Sequence, residues 1–187
     1  MSGILNLTRP AARRPLSYVK PDGEVVATVL EQRFGHGEGR GLLDAVLSHD
    51  SLQHLDERHT VVDADEAPLF YVERYQASSA PAFSVFDPAG QPLAVFLSDE
   101  RVVRDGTGAP CGRFTDQELV EADGSLLARC VHEPVYVQWL VDDEWTLFVV
   151  QDPKVLDRRA VVAYPLVCRL LWTHDMPRPR TDAEMLR

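Results

Sequence analysis

The chain has 187 residues, 45% of them hydrophobic and 26% charged, a balance that supports a folded domain with a true core and excludes a wholly disordered chain. Its formal net charge of −10 repels phosphate backbones, so no nucleic acid is expected as a partner. Cys111, Cys130 and Cys168 form no C-x-x-C pair, which argues against a disulfide framework or a zinc ribbon and fits a reducing compartment.

Residues 1–16 mix arginine, proline and small residues and read as a flexible arm. No long apolar stretch follows its charges, so no signal peptide is expected and the protein is expected to be cytoplasmic. "LSYVKPDGEVVATVLEQRF" then reads as a hairpin, with Pro21 to Gly23 turning between Val-rich runs. "GHGEGRG" has glycine at alternate positions but lacks the lysine and Ser/Thr of a phosphate loop and the βαβ setting of a dinucleotide loop. It reads as a connector. "GLLDAVLSHDSLQHLDERH" spaces its leucines as a helix would, which predicts a short helical insertion near residues 41–58. That stretch carries His49, Asp50, His54, Asp56 and His59, and Asp50 and His54 could share a helix face as metal ligands. Histidines five apart, however, turn about 140° from one to the next. A solvated face is the expectation, with no metal.

From Thr60 onward the pattern becomes apolar strands separated by acidic turns. The turns are read at Asp63 to Ala67, Asp87 to Gly90, Asp105 to Gly108, Ala122 to Gly124 and Asp142 to Glu144. This series predicts a mainly β fold, an antiparallel meander of hairpins. So many strands in one open sheet would leave long unpaired edges, so a sandwich or a closed barrel is expected.

The last apolar run, Asp157 to Trp172, is interrupted by Pro165 and Arg169 and is too short for the ~20 apolar residues of a membrane span. No transmembrane span is expected. Its β-branched residues allow a strand, but the run lacks polar alternation and fits a buried helix better, apolar on every side. Asp157 is the N-cap candidate, Pro165 marks a kink or a fresh start, and Arg158 and Arg159 fall in the first turn.

"FSVFDPAGQPLAVF" resembles the D-x-x-G hairpin of the tubby C-terminal-like superfamily, and "CGRFTDQELVEADGSLLARC" is similar to its following repeats. With the closing apolar helix, the segment Ala82 to Trp172 is most similar to the phospholipid-scramblase and LURP-one-related branch. The resemblance implies a tubby-like barrel of antiparallel strands around a hydrophobic C-terminal helix. On this reading residues 1–16 are the arm, 17–174 a single barrel domain with its central helix near 157–172, and 175–187 a polar tail. It also implies association with lipid, a membrane surface or a protein partner. The chain departs from that branch in having no cysteine cluster of the kind palmitoylated in animal scramblases, no recognisable calcium loop and no lysine/arginine-rich phosphoinositide pocket. Fold carries over more readily than activity.

Candidate chemistry is sparse. Cys130 and His132 share a strand face, but residues so related lie about 6–7 Å apart, too far for a nucleophile and its base without bending. Cys111 has no histidine near it in sequence, and the clustered acids read as solvated turns. No catalytic residue, cofactor or metal site is expected, and a non-enzymatic binding or scaffold module is. One anion site can be drawn: the free N–H groups at the helix start, with Arg158 and Arg159, could cradle a phosphate or carboxylate. The alternative is that both arginines pair with acidic turns nearby. Two other functions remain open, a β-barrel carrier of an apolar small molecule and an acidic protein that neutralises a basic partner.

Overall fold

A computed structural model describes residues 3–9, 15–33, 54–76, 80–137 and 140–175. Among them run twelve strands: β1 (Gly3–Thr8), β2 (Ser17–Val19), β3 (Val25–Arg33), β4 (His54–Val62), β5 (Pro68–Gln76), β6 (Ala82–Phe86), β7 (Pro92–Leu97), β8 (Val102–Asp105), β9 (Pro110–Phe114), β10 (Glu118–Glu121), β11 (Leu126–Val137) and β12 (Leu140–Val149). The helix α1 (Arg158–Asp175) follows. Each strand pairs antiparallel with its neighbours in the chain, and β1 pairs with β12 to close the barrel. The expected antiparallel barrel with one C-terminal helix is the observed architecture.

Three local readings are corrected. The arm expected over residues 1–16 contains β1, whose Leu7 is fully buried opposite Trp145; a short run with an inward leucine seals the edge between β2 and β12. The helical insertion expected near residues 41–58 gives way to β4 from His54 onward, because alternation turns Glu57, His59 and Val61 inward between β3 and β5. Residues 41–53 lie outside the described residues. The turn expected at Asp142 to Glu144 lies inside β12, where these residues pair with Val135, Pro134 and Glu133. Acidic residues alone do not make a turn; the ladder runs on past them to the Val137–Leu140 pair.

Five tight turns share one geometry: Lys20 to Glu24, Asp63 to Ala67, Asp87 to Gln91, Asp105 to Ala109 and Glu121 to Ser125. In each, the first N–H donates to the fifth carbonyl and the fourth N–H to the first carbonyl. The fourth residue has positive φ, which is the left-handed step after a turn that restores strand register. Glycine holds that place at Gly23, Gly90, Gly108 and Gly124, but Glu66 holds it in the second turn with φ 62. Asp63, Asp87 and Asp105 each accept N–H bonds on one carboxylate oxygen from the residues two and four further on. Asp105 also accepts from the Thr107 hydroxyl, which holds its carboxyl below the usual range. Glu66→Gly is therefore expected to stabilise the protein by about 0.5–1 kcal/mol, the left-handed penalty less the entropy of a new glycine. A higher urea midpoint at unchanged slope is the readout.

Inside the barrel, Ala160, Val161, Ala163, Tyr164, Pro165, Leu166, Val167 and Cys168 of α1 are all buried. Eight such positions within nine consecutive residues cover every side of a helix, so α1 is enclosed by sheet and runs through Pro165 as one helix. Two phenols tie it to the wall. Tyr18 on β2 donates to the Val162 carbonyl at 3.0 Å, one residue beyond the carbonyl that loses its partner at Pro165. Tyr164 donates to the Thr115 carbonyl between β9 and β10 at 2.7 Å. Burial pushes both phenols well above their ordinary pKa.

Candidate functional site at the two ends of the barrel helix

At the start of α1, the Asp157 carbonyl accepts from Ala160 N–H at 3.0 Å, and its Oδ1 accepts from Arg159 N–H at 2.8 Å. Asp157 is thus the N-cap the sequence predicted. The Arg159 guanidinium folds back on the same carboxylate, Nε to Oδ1 and Nη2 to Oδ2, both at 3.0 Å. This pairing holds Asp157 below the usual carboxylate range. The expected cradle of Arg158 and Arg159 is therefore corrected: the Arg159 guanidinium and the Arg159 N–H already hold an anion, the carboxylate of the protein's own Asp157. Arg158 is placed differently. It is 59% exposed, with Nη1 4.0 Å from Asp152 Oδ1, and it borders a cleft of about 320 Å³ walled by Ile4, Val149, Val161 and Val162, with Lys20 on the same rim. Lys20 pairs with Glu24 at 2.5 Å.

The approach to α1 is fixed by a carboxylate that sequence reasoning passed over. Glu121, 5% exposed, accepts on Oε1 from the N–H groups of Lys154 (2.8 Å), Val155 (2.9 Å) and Leu156 (3.3 Å). It occupies the first position of its turn, where Asp63, Asp87 and Asp105 bond their own loops, and the longer side chain reaches inward instead. A glutamate in that slot, two residues from the buried Leu119 on an alternating strand, is the signal that could have found it. Outside, Lys154 Nζ pairs with Asp123 at 2.7 Å.

Near the end of α1, a cavity of about 560 Å³ opens between Cys168, Leu171 and Trp172 on the helix and Cys130, His132 and Trp145 on β11 and β12. Cys130 and His132 share the inward face, as their spacing predicted. The imidazole stacks on Trp145 (centroids 4.3 Å, planes 14° apart) and meets Trp172 edge to face at 4.8 Å. The thiol that interacts with Cys130 is Cys168 on α1. Cys168 also donates to the Thr115 carbonyl at 3.8 Å, and burial pushes its pKa well above the ordinary value. Cys111 lies apart, its Sγ donating to the Val103 carbonyl at 3.4 Å, with burial pushing its pKa up to about 11.

A buried ionic group flanks α1 on another side, where Glu57 meets Arg74 Nη2 and His59 Nε2, each at 3.1 Å. His59 thus lies within the barrel wall, facing inward, and not on a solvated helix. His54 and Asp56 fall on β4, while His49 and Asp50 lie outside the described residues.

No family model matches the chain, and no curated protein does. It is similar to the X-ray structure of a protein from Arabidopsis thaliana. That likeness covers 92% of each chain at 12% identity, with a TM-score of 0.36. Among the described residues, no helix is long and apolar enough to cross a membrane.

Proposed function

We propose that this chain is a non-enzymatic binding module of the tubby-like kind, of the scramblase and LURP-one-related branch, and that it acts at a lipid surface. The twelve-strand antiparallel barrel around one apolar helix is the arrangement that the D-x-x-G hairpins and the closing apolar run imply. Because α1 fills the lumen, ligands meet this protein at its ends, which disfavours a carrier with cargo inside. The observation that carries the lipid reading is the cleft beside the first turn of α1, where apolar walls meet the exposed Arg158. That pairing suits an acyl chain with an acidic headgroup. With a net charge of −10, attraction to an anionic surface is local, carried by this rim and not by the field of the whole protein.

Pelleting of the full chain with phosphatidylcholine vesicles, with and without phosphatidylserine, tests this at ~0.15 M salt, where the screening length is about 8 Å. Sedimentation with the phosphatidylserine vesicles is expected. Arg158→Glu removes one basic contact and adds a repulsive one, about 2 kcal/mol in all, and weakens binding roughly tenfold or more. Failure to sediment with either vesicle would eliminate the lipid reading. An apolar molecule retained in native mass spectrometry would favour the carrier instead.

A further inference from the structure

The geometry points to Cys130 and Cys168 as a paired thiol site that a small hydroperoxide oxidises to a disulfide, fastening β11 to α1. The two thiols come from different elements, the barrel wall and the helix it encloses, and they interact with each other. Both also line the cavity of about 560 Å³ near the end of α1. The cavity gives a small molecule such as hydrogen peroxide a route to sulfur atoms that are otherwise almost wholly buried. Cys111 lines no part of this cavity and bonds the Val103 carbonyl, so it serves as an internal control.

The chemistry balances. Cys130 sulfur attacks one peroxide oxygen, the O–O bond breaks, and sulfenic acid and one water form. Cys168 then attacks the Cys130 sulfur, the S–O bond breaks, and the hydroxyl leaves with the Cys168 proton as a second water. Two thiols are oxidised by two electrons and one peroxide is reduced to two waters. Both sulfurs are almost wholly buried and both line the cavity, and the net reaction is the same whichever of the two is oxidised first. The product joins α1 to β11 by a covalent bond.

The test uses the wild-type full chain, treated with hydrogen peroxide, quenched, denatured and alkylated with N-ethylmaleimide. The untreated chain takes three adducts, one for each free cysteine. The oxidised chain is expected to take one, on Cys111, with a peptide map joining Cys130 to Cys168 and recovery of all three adducts after dithiothreitol. Cys111→Ser should retain the same cross-link. Three adducts after peroxide, a link that includes Cys111, a link between two chains, or sulfinic acid at Cys130 without a link would each overturn the proposal.

Discussion

Val167→Asp is expected to abolish the folded barrel. Val167 is 0% exposed on a helix whose neighbouring residues are buried on every side, so the new carboxylate has no route to water. The substitution forfeits the apolar burial of the valine methyls, and burying an unpartnered carboxylate adds several kcal/mol. Together these rival the roughly 5–15 kcal/mol by which a domain of this kind is stable. A graded partner is Leu166→Ala, also 0% exposed, which is expected to cost about 2–5 kcal/mol and leave a cooperative but earlier transition. Val155→Asp, eleven residues before Leu166 but 62% exposed, should change stability by no more than about 0.5 kcal/mol. Circular dichroism melts and urea titrations distinguish the three. A Val167→Asp chain that melts at the wild-type temperature would mean that α1 does not plug the barrel.

The features readable in the sequence were those written locally. Asp87 to Gly90 and Asp105 to Gly108 announce their turns because an acceptor side chain and a left-handed residue are needed at fixed offsets, and both are visible in a few letters. The apolar run from Ala160 to Cys168 announces burial for the same reason. What escaped notice depends on partners far along the chain. β1 is a strand because β12 and β2 would otherwise be edges, and nothing within residues 1–16 records that need. β4 takes its form from two neighbours, although the leucine spacing that runs up to Leu55 predicted a helix, and β12 carries Asp142 and Asp143 through a ladder with β11 although acids are poor strand formers. The site followed the same rule. Asp157 as a cap was legible because it is local, but Arg159 closing on that same carboxylate was not foreseen, since the sequence placed Arg159 beside Arg158 in a cradle or against the acidic turns. The pairing of Cys130 with Cys168 was not legible, since it exists only once the helix lies inside the barrel. Glu121 escaped because its three partners arrive from the far side of β11 and β12.

Glu121→Ala is the second large effect expected. The carboxylate is the shared acceptor for the N–H groups of Lys154, Val155 and Leu156, and a buried donor left without its partner costs about 1–3 kcal/mol. The loop can recover some of these bonds with water, so the whole substitution should cost about 3 kcal/mol. Glu121→Gln keeps an acceptor oxygen in place and loses only the charge, so about 1 kcal/mol is expected. The order wild type, glutamine, alanine should appear in the urea midpoints. It should also appear in amide exchange at 154–156, fastest in the alanine variant, because these amides would open locally before the barrel does. The same loop holds Pro153 and leads to Arg158 on the rim of the apolar cleft. Alanine at position 121 is therefore expected to weaken vesicle binding as well, although Glu121 itself is no part of that cleft's lining. If alanine and glutamine behave alike, or exchange at 154–156 is unchanged in both, the entry to the helix is held by something other than this carboxylate, and the link from turn to cleft is broken.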